Sequence, residues 1–266
     1  MWDNEETLLD VMFASEKRKN VLLLLQDGPK EMEHLLQSLN TTRQALLPQT
    51  KIPEEHYLIQ HEKDIYMLTH VGKLIIDEIA PAIGTVDVLS NNIDYWGTHN
   101  FNFIPLHLLN RIRELGACNS VEVKIQDIFD EDATFVEEAK RTKFLFTVTS
   151  FVFPHMRKLA SELTEMNVKI SSIISSGLYE KLVRENPDEL KYFLQLQNTE
   201  FYRYPDKLGF LSFTMTDHRI MFRLLTFKGD YDNNRIVCSG DSALKWGKEL
   251  YEYYVKNSIL ITAIDE

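Results

Sequence analysis

The feature that most restricts the fold lies between residues 30 and 69, where apolar residues switch from a helical period to a strand period. Met32, Leu35, Leu36 and Leu39 repeat at i, i+3, i+4 and i+7, the apolar face of a helix of about ten residues that ends at Asn40. Thr41 or Thr42 can cap the next segment, Arg43 to Ile52, in which Ala45 and Leu46 face inward while Arg43, Gln44, Leu47 and Lys51 project. After Glu54-Glu55-His56 the pattern alternates: Tyr57, Ile59 and His61, then Ile65, Met67 and Thr69, flank Glu62-Lys63-Asp64 as the strands of a hairpin would. Two short helices joined by a tight turn and followed by a hairpin read as a helix-turn-helix with a wing, an order more specific than any one of its helices.

Upstream, Leu8, Leu9, Met12 and Phe13 form the apolar stripe of a short helix that packs as a lid. Ser15 can cap a second helix with a basic start, Lys17-Arg18-Lys19, an apolar body of Val21, Leu22, Leu24 and Leu25, and a close at Gly28-Pro29. At 266 residues, against roughly 150 per domain, the chain should hold two domains. The winged helix-turn-helix accounts for residues 1–79. Residues 80–104 read as a connector. Ile76, Ile79, Ile83 and Val86, spaced 3, 4 and 3, make the seam of a two-helix contact and hence of a homodimer. Pro81 and Gly84 interrupt that seam, and the same stripe also suits packing on the protomer's own core.

Residues 105–266 alternate strands and helices after a helix from Pro105 to Leu115. Val121, Val123 and Ile125 mark a half-buried strand, and Lys143 to Phe153 and Val168 to Ser176 suit central strands. Pro154 to Asn167 and Gly177 to Gln195, split near Pro187, read as the helices between and after them. Such alternation implies parallel crossovers. Glu200 to Tyr204, Leu208 to Asp217 and Arg219 to Phe227, with short connections, read as antiparallel strands. Asp230, Tyr231 and Asp232 form a turn before a closing helix, Ser242 to Ser258. The expected fold class is α+β/α/β, a winged helix-turn-helix followed by an α/β domain with a mixed sheet.

Charge and composition exclude several functions. The net charge of −11 argues against a nucleic-acid binder that works by bulk positive charge. Residues 15–79 carry 8 basic against 10 acidic residues, leaving 21 against 30 elsewhere, so the acidity lies mostly outside the helical part. No apolar run approaches the ~20 residues of a spanning helix, and Met1 to Asp10 has no basic leader, so a cytoplasmic protein without a membrane is expected. Cys118 and Cys238 are 120 positions apart with no metal-ligand spacing, and read as buried reduced thiols. Asp127, Asp130, Glu131 and Asp132 read as a solvated turn. No phosphate-cradling glycine motif is present, so neither a cofactor nor a metal is expected.

The stretch Gln44 to Ile59, QALLPQTKIPEEHYLI, resembles the recognition helix and wing of the arsenical-resistance-repressor class of winged-helix regulators. That resemblance implies a second helix in the major groove and a wing on the flanking phosphates of double-stranded DNA. It nominates Thr42, Arg43, Gln44, Gln49 and Lys51 for the groove and His61 and Lys63 for the wing. Gln and Arg suit adenine and guanine edges respectively. Pro48 and Pro53 depart from an uninterrupted helix, and sparse charge predicts few phosphate contacts and reliance on a dimer.

Two further stretches, DYWGTHNFNFIPLHLLNRIRELG (Asp94 to Gly116) and KGDYDNNRIVCSGDSALKWGKELYEYY (Lys228 to Tyr254), resemble signature blocks of a family of methanogen winged-helix regulators. Its larger domain is named for the regulation of methanogenesis and filament formation. The resemblance spans nearly the whole chain and implies an archaeal transcriptional regulator whose larger domain senses a signal, an unknown small-molecule effector among the possibilities. Trp96, His99 and Trp246 sit in these blocks as core residues. The α/β pattern is also similar to the phospholipase-D-like fold used as a sensor in sugar-responsive archaeal regulators. The nucleophile pattern of such phosphodiesterases, His with Lys two residues on and Asp five beyond, begins at His61 and Lys63 and fails at Leu68, so no catalytic residue and no enzyme activity is expected. His155 at a strand-to-helix transition, with Ser150, Ser175 and Ser176, lines a candidate crevice at the carboxyl ends of parallel strands. The alternative to DNA binding is a protein-interaction module built on the same winged helix.

Overall fold

The computed structural model describes residues 7–124 and 133–264 and divides into two compact units, Met1–Ile83 and Gly84–Glu266. In the first unit α1 (Leu8–Phe13) starts from a capping box: the Thr7 hydroxyl accepts from the Asp10 amide, and the Asp10 carboxylate accepts from the Thr7 amide. Its inward residues are Val11 and Met12, so the face is turned from the expected stripe and Leu8, Leu9 and Phe13 stay exposed. Then come α2 (Glu16–Leu24), β1 (Lys30–Glu31), α3 (Met32–Ser38), α4 (Arg43–Glu55), β2 (Ile59–Glu62) and β3 (Ile65–Leu68). The division between units falls within α5 (His70–Ser90).

Asn40, at φ 44, turns the chain between α3 and α4, and the Thr42 hydroxyl caps α4 by accepting from the Ala45 amide. Pro48 and Pro53 lie inside α4, which continues to Glu55 and is longer than the sequence pattern marked. Each proline removes one helix donor and costs about 3 kcal/mol relative to alanine. The carbonyl deprived by Pro48 belongs to exposed Gln44, and Pro53 is itself buried in the unit with Leu46 and Thr50. The hairpin turns at Lys63 (φ 59), and β1 adds a third strand on β3, giving the order β1-β3-β2. Tyr66 faces the core while Ile65 is exposed, one residue out of step with the expected alternation on β3. Leu22, Leu25, Met32, Leu35, Leu46, Leu58 and Ile76 close the core. Gly72 lets α5 approach Leu58, whose carbonyl oxygen would lie 1.8 Å from an added Cβ.

The second unit contains α6 (Ile93–Trp96), α7 (Leu106–Leu109), β4 (Cys118–Glu122), α8 (Ala133–Ala139), β5 (Phe144–Thr149), α9 (Met156–Glu165) and β6 (Lys169–Ser175). It continues with α10 (Ser176–Glu185), α11 (Pro187–Gln195), β7 (Thr199–Tyr204), β8 (Ser212–Met215), β9 (Arg219–Arg223), β10 (Asn234–Ser239), α12 (Asp241–Lys256) and β11 (Ile259–Leu260). One eight-stranded mixed sheet runs β11-β7-β6-β5-β8-β9-β10-β4, parallel from β5 through β6 to β7 and antiparallel elsewhere. Successive residues alternate between two covered faces. Val148, Ile173, Phe213 and Phe222 pack with Trp246 and Leu250 of α12, while Leu145, Ile170 and Met221 pack with Leu159 and Leu163 of α9 and Phe193 of α11.

Several expectations are corrected. The strand read from Val121 is β4, which lies at the far edge antiparallel to β10, outside the parallel set. Glu200 to Tyr204 belongs to β7, which α10 and α11 return parallel to β6. The turn at Asp230 to Asp232 is followed by a further strand, β10, before the closing helix, and the expected helix from Pro105 is only α7 followed by a 3-10 turn at Ile112–Leu115. Cys118 and Cys238 are disulfide-bonded rather than reduced, because β4 and β10 place them directly opposite each other, with Cα atoms 4.2 Å apart. Residues 84–104 are not a bare connector, since Val88, Tyr95, Trp96, Phe103 and Ile104 enter the second unit's core. Of the expected dimer seam, Ile76 is buried in its own unit with Ile79 packed beside it, whereas Val86 is exposed. The acidic cluster at Asp127, Asp130, Glu131 and Asp132 lies outside the described residues.

Candidate nucleic-acid interface

The outer surface of α4 and the hairpin beside it carry the residues nominated for a duplex. Thr42 ends the turn and caps the helix, and Arg43, Gln44, Leu47, Pro48 and Lys51 are exposed along it. Arg43, Lys51 and His61 each have an acidic neighbour. Arg43 donates two bonds to the Asp64 carboxylate in the hairpin turn, Nη1 to Oδ2 at 2.9 Å and Nη2 to Oδ1 at 2.6 Å. Lys51 pairs with Glu55 one turn on, at 3.5 Å. His61 Nδ1 lies 2.6 Å from Glu54 Oε1, and the imidazole stacks on Tyr66 with ring centroids 5.1 Å apart. The Arg43 guanidinium holds the Asp64 carboxyl below the usual carboxylate range, and Asp64 in turn pushes the Arg43 guanidinium up. Lys63 is exposed at the hairpin tip.

Gln49 departs from its nomination. It is half-buried and accepts from Arg18 Nε at 3.2 Å, while Arg18 Nη1 donates to the Val11 carbonyl at 2.8 Å. Arg18, read from sequence as part of a basic helix start, is therefore a buried tie among α1, α2 and α4. The Lys51–Glu55 pair was legible in its i, i+4 spacing, as a helix neighbour must be. The partnership of Arg43 with Asp64, 21 positions apart, was not.

At the carboxyl ends of β5 and β6, Ser150 and Ser175 line a crevice of about 430 Å³ together with Gly177, Lys181 and Asn186. Their hydroxyls already have local work: Ser150 donates to the Phe210 carbonyl at 3.2 Å, and Ser175 caps α10 by accepting from the Leu178 amide at 3.2 Å. Ser176 turns away and donates to the Tyr204 carbonyl at 2.8 Å. His155 precedes α9, is exposed and makes no cap bond.

The Asp94–Gly116 and Lys228–Tyr254 stretches meet in the second unit. Trp246 Nε1 donates to the Leu108 carbonyl at 2.9 Å, Tyr254 Oη to the Phe103 carbonyl at 2.7 Å, and Arg111 forks onto Glu249 at 2.7 and 3.0 Å. His99 is fully buried, stacked on Tyr95 with centroids 3.9 Å apart, and its Nε2 lies 3.4 Å from Asp232 Oδ2. Burial pushes the Tyr95, Tyr251 and Tyr254 hydroxyls well above the usual tyrosine range.

Comparison with known families decides the kinship. The family model of the N-terminal domain of methanogenesis regulatory protein FilR1 matches residues 6–87, and the model of its middle domain matches residues 128–257. The chain belongs to the FilR1 family. A FilR1 from Methanothrix harundinacea (strain 6Ac) is 22% identical over 255 residues, which cover 93% of this chain and 56% of that protein. The chain thus spans about half the length of this FilR1 relative. The Lys228–Tyr254 block lies wholly within the middle-domain match, and the Asp94–Gly116 block falls between the two FilR1 matches. Among solved structures, the archaeal chromatin protein TrmBL2, whose structure is described as showing a novel mode of DNA binding, is 12% identical. That alignment covers 98% of this chain and 100% of TrmBL2, with a TM-score of 0.43. The phospholipase D family member Nuc from Salmonella typhimurium is 10% identical, covering 55% and 99% with a TM-score of 0.39. Likenesses at that level decide neither fold nor function. Among the described residues no helix is long and apolar enough to cross a membrane.

Proposed function

We propose that the chain is a DNA-binding transcriptional regulator of an archaeal methanogen. In this reading its winged helix docks α4 in the major groove as one half of a cytoplasmic homodimer, and its second unit senses an effector. Membership of a regulatory family supports the first part. The single observation that carries the DNA reading is the outer row of α4: Thr42, Arg43, Gln44, Leu47 and Lys51 are exposed on one helix beside a hairpin whose tip presents Lys63. Gln44 is the base reader, Arg43, Lys51 and Lys63 the phosphate contacts, and Gln49 and His61 hold the helix and wing in place. The second unit is read as a phospholipase-D-like sensor by fold analogy, with Ser150 and Ser175 at the effector crevice and no catalytic role. The test is a gel shift on the chain's own promoter region at two salt concentrations. Arg43→Ala with Lys51→Ala should weaken binding by roughly tenfold or more, and unaltered binding by the double variant discards the assignment.

One observation favours a protein-interaction module instead: carboxylates accompany both exposed α4 cations, Asp64 at Arg43 and Glu55 at Lys51. On that reading no duplex, of whatever sequence, competes for the surface at moderate salt, and the gel shift stays empty.

A further inference from the structure

The pairing of Arg43 is built like the contact that a duplex would ask of it. Two parallel N–H bonds from a guanidinium to two oxygens of one anion are the geometry in which arginine takes a phosphate. Here the Asp64 carboxylate occupies that fork, at 2.9 and 2.6 Å. Asp64 sits in the hairpin turn beside Lys63, so the pair joins the first turn of α4 to the wing tip. Both side chains are half open to solvent, 52% for Arg43 and 51% for Asp64, so an incoming anion reaches them. The neighbouring Lys51 makes only a single, longer contact with Glu55, at 3.5 Å.

We infer that Arg43 and Asp64 form an autoinhibitory latch on the duplex-facing surface, which a backbone phosphate opens by taking the Arg43 fork from Asp64. The inference rests on the DNA-binding reading above. While the latch is closed, the guanidinium is neutralised, and a carboxylate stands where a phosphate would lie. When it opens, Arg43 turns to the duplex and Asp64 is left with water. Affinity for any duplex is thereby held low, and helix and wing engage together.

The experiment is fluorescence anisotropy of a labelled duplex of about 30 base pairs, titrated with the full chain at several salt concentrations. Asp64→Asn should bind about two- to fivefold tighter than the parent, with a salt dependence steeper by about one phosphate, and Asp64→Ser should do the same. Arg43→Gln should bind more weakly and should shrink the gain from Asp64→Asn to within about 1.5-fold, the coupling expected of contacting groups. Asp77→Asn removes a carboxylate paired with Lys73 and Gln26 on α5 and should leave affinity unchanged. Asp64 variants that bind no tighter than the parent, or a gain that persists undiminished without Arg43, overturn the latch. Absence of binding by every variant overturns the DNA-binding reading itself, and the latch with it.

Discussion

On the outer face of α4 and the hairpin beside it the polar groups lie at the surface in exchangeable pairs, Arg43 with Asp64, Lys51 with Glu55 and His61 with Glu54. Where Asp94–Gly116 meets Lys228–Tyr254, the Tyr254 hydroxyl, the Trp246 indole N–H and His99 Nδ1 are sealed in the interior and bonded to backbone carbonyls. Exposed pairs contribute little to stability and can trade partners, whereas a buried donor or acceptor that loses its partner bears the full cost of desolvation. The first arrangement suits recognition of an external anion, and the second suits a rigid body. The comparison also separates substitutions that should change stability from those that should change binding.

The largest effect is expected at Gly72, where the atom that an alanine would meet is backbone. Gly72→Ala should destabilise the first unit by about 4 kcal/mol or more, read as loss of its denaturant unfolding transition. A mild effect would mean that α5 can retreat from Leu58. The matching position in the second unit is softer: a Cβ on Gly247 would lie 2.5 Å from the Ile220 Cγ2 atom, a side-chain methyl rather than backbone. Gly247→Ala should cost about 1–3 kcal/mol. Between these falls the disulfide. Cys118→Ala or Cys238→Ala should lower the second unit's stability by about 2–4 kcal/mol and remove its sensitivity to reductant, while the first unit's transition stays in place.

The pH dependence should differ between the units. The Tyr95, Tyr251 and Tyr254 hydroxyls, raised by burial, stay protonated in the folded second unit when the unfolded chain would ionise. Their stabilising contribution is therefore complete below the ordinary tyrosine value of about 10 and is lost as pH rises above it, so the unfolding midpoint of the second unit should fall in alkali. Asp64 behaves in the opposite sense: its carboxyl, lowered by Arg43, contributes above the ordinary carboxylate range and loses the contribution as pH falls. The smallest change in stability should come from Arg43→Ala with Lys51→Ala, which should leave the unfolding midpoint of the first unit in place while reducing binding.

What the sequence disclosed follows the range of the interactions. The helices from Met32 and from Arg43, the hairpin around Lys63 and the Thr42 cap are local, and periodicity and capping residues announce them. The prolines misled about the length of α4 because tertiary burial of Pro53 outweighs a local penalty. Strand order in the second unit was not legible: β4 follows α7 in the chain but pairs with β10 more than a hundred residues later, and that one pairing also decides the state of Cys118 and Cys238. The family resemblance nominated Arg43, Gln44 and Lys51, which lie exposed. It also nominated Gln49, whose orientation depends on a buried Arg18 from another helix. For the crevice serines, capping chemistry and ligand chemistry call for the same hydroxyl, so composition does not separate them.

The most direct measurement of the central claim is the slope of log affinity against log salt for a duplex, in the parent chain and in Arg43→Ala with Lys51→Ala. The account predicts a slope of several phosphates for the parent that falls by roughly two in the variant. An equal slope in both, or no salt-dependent binding by either, would contradict it.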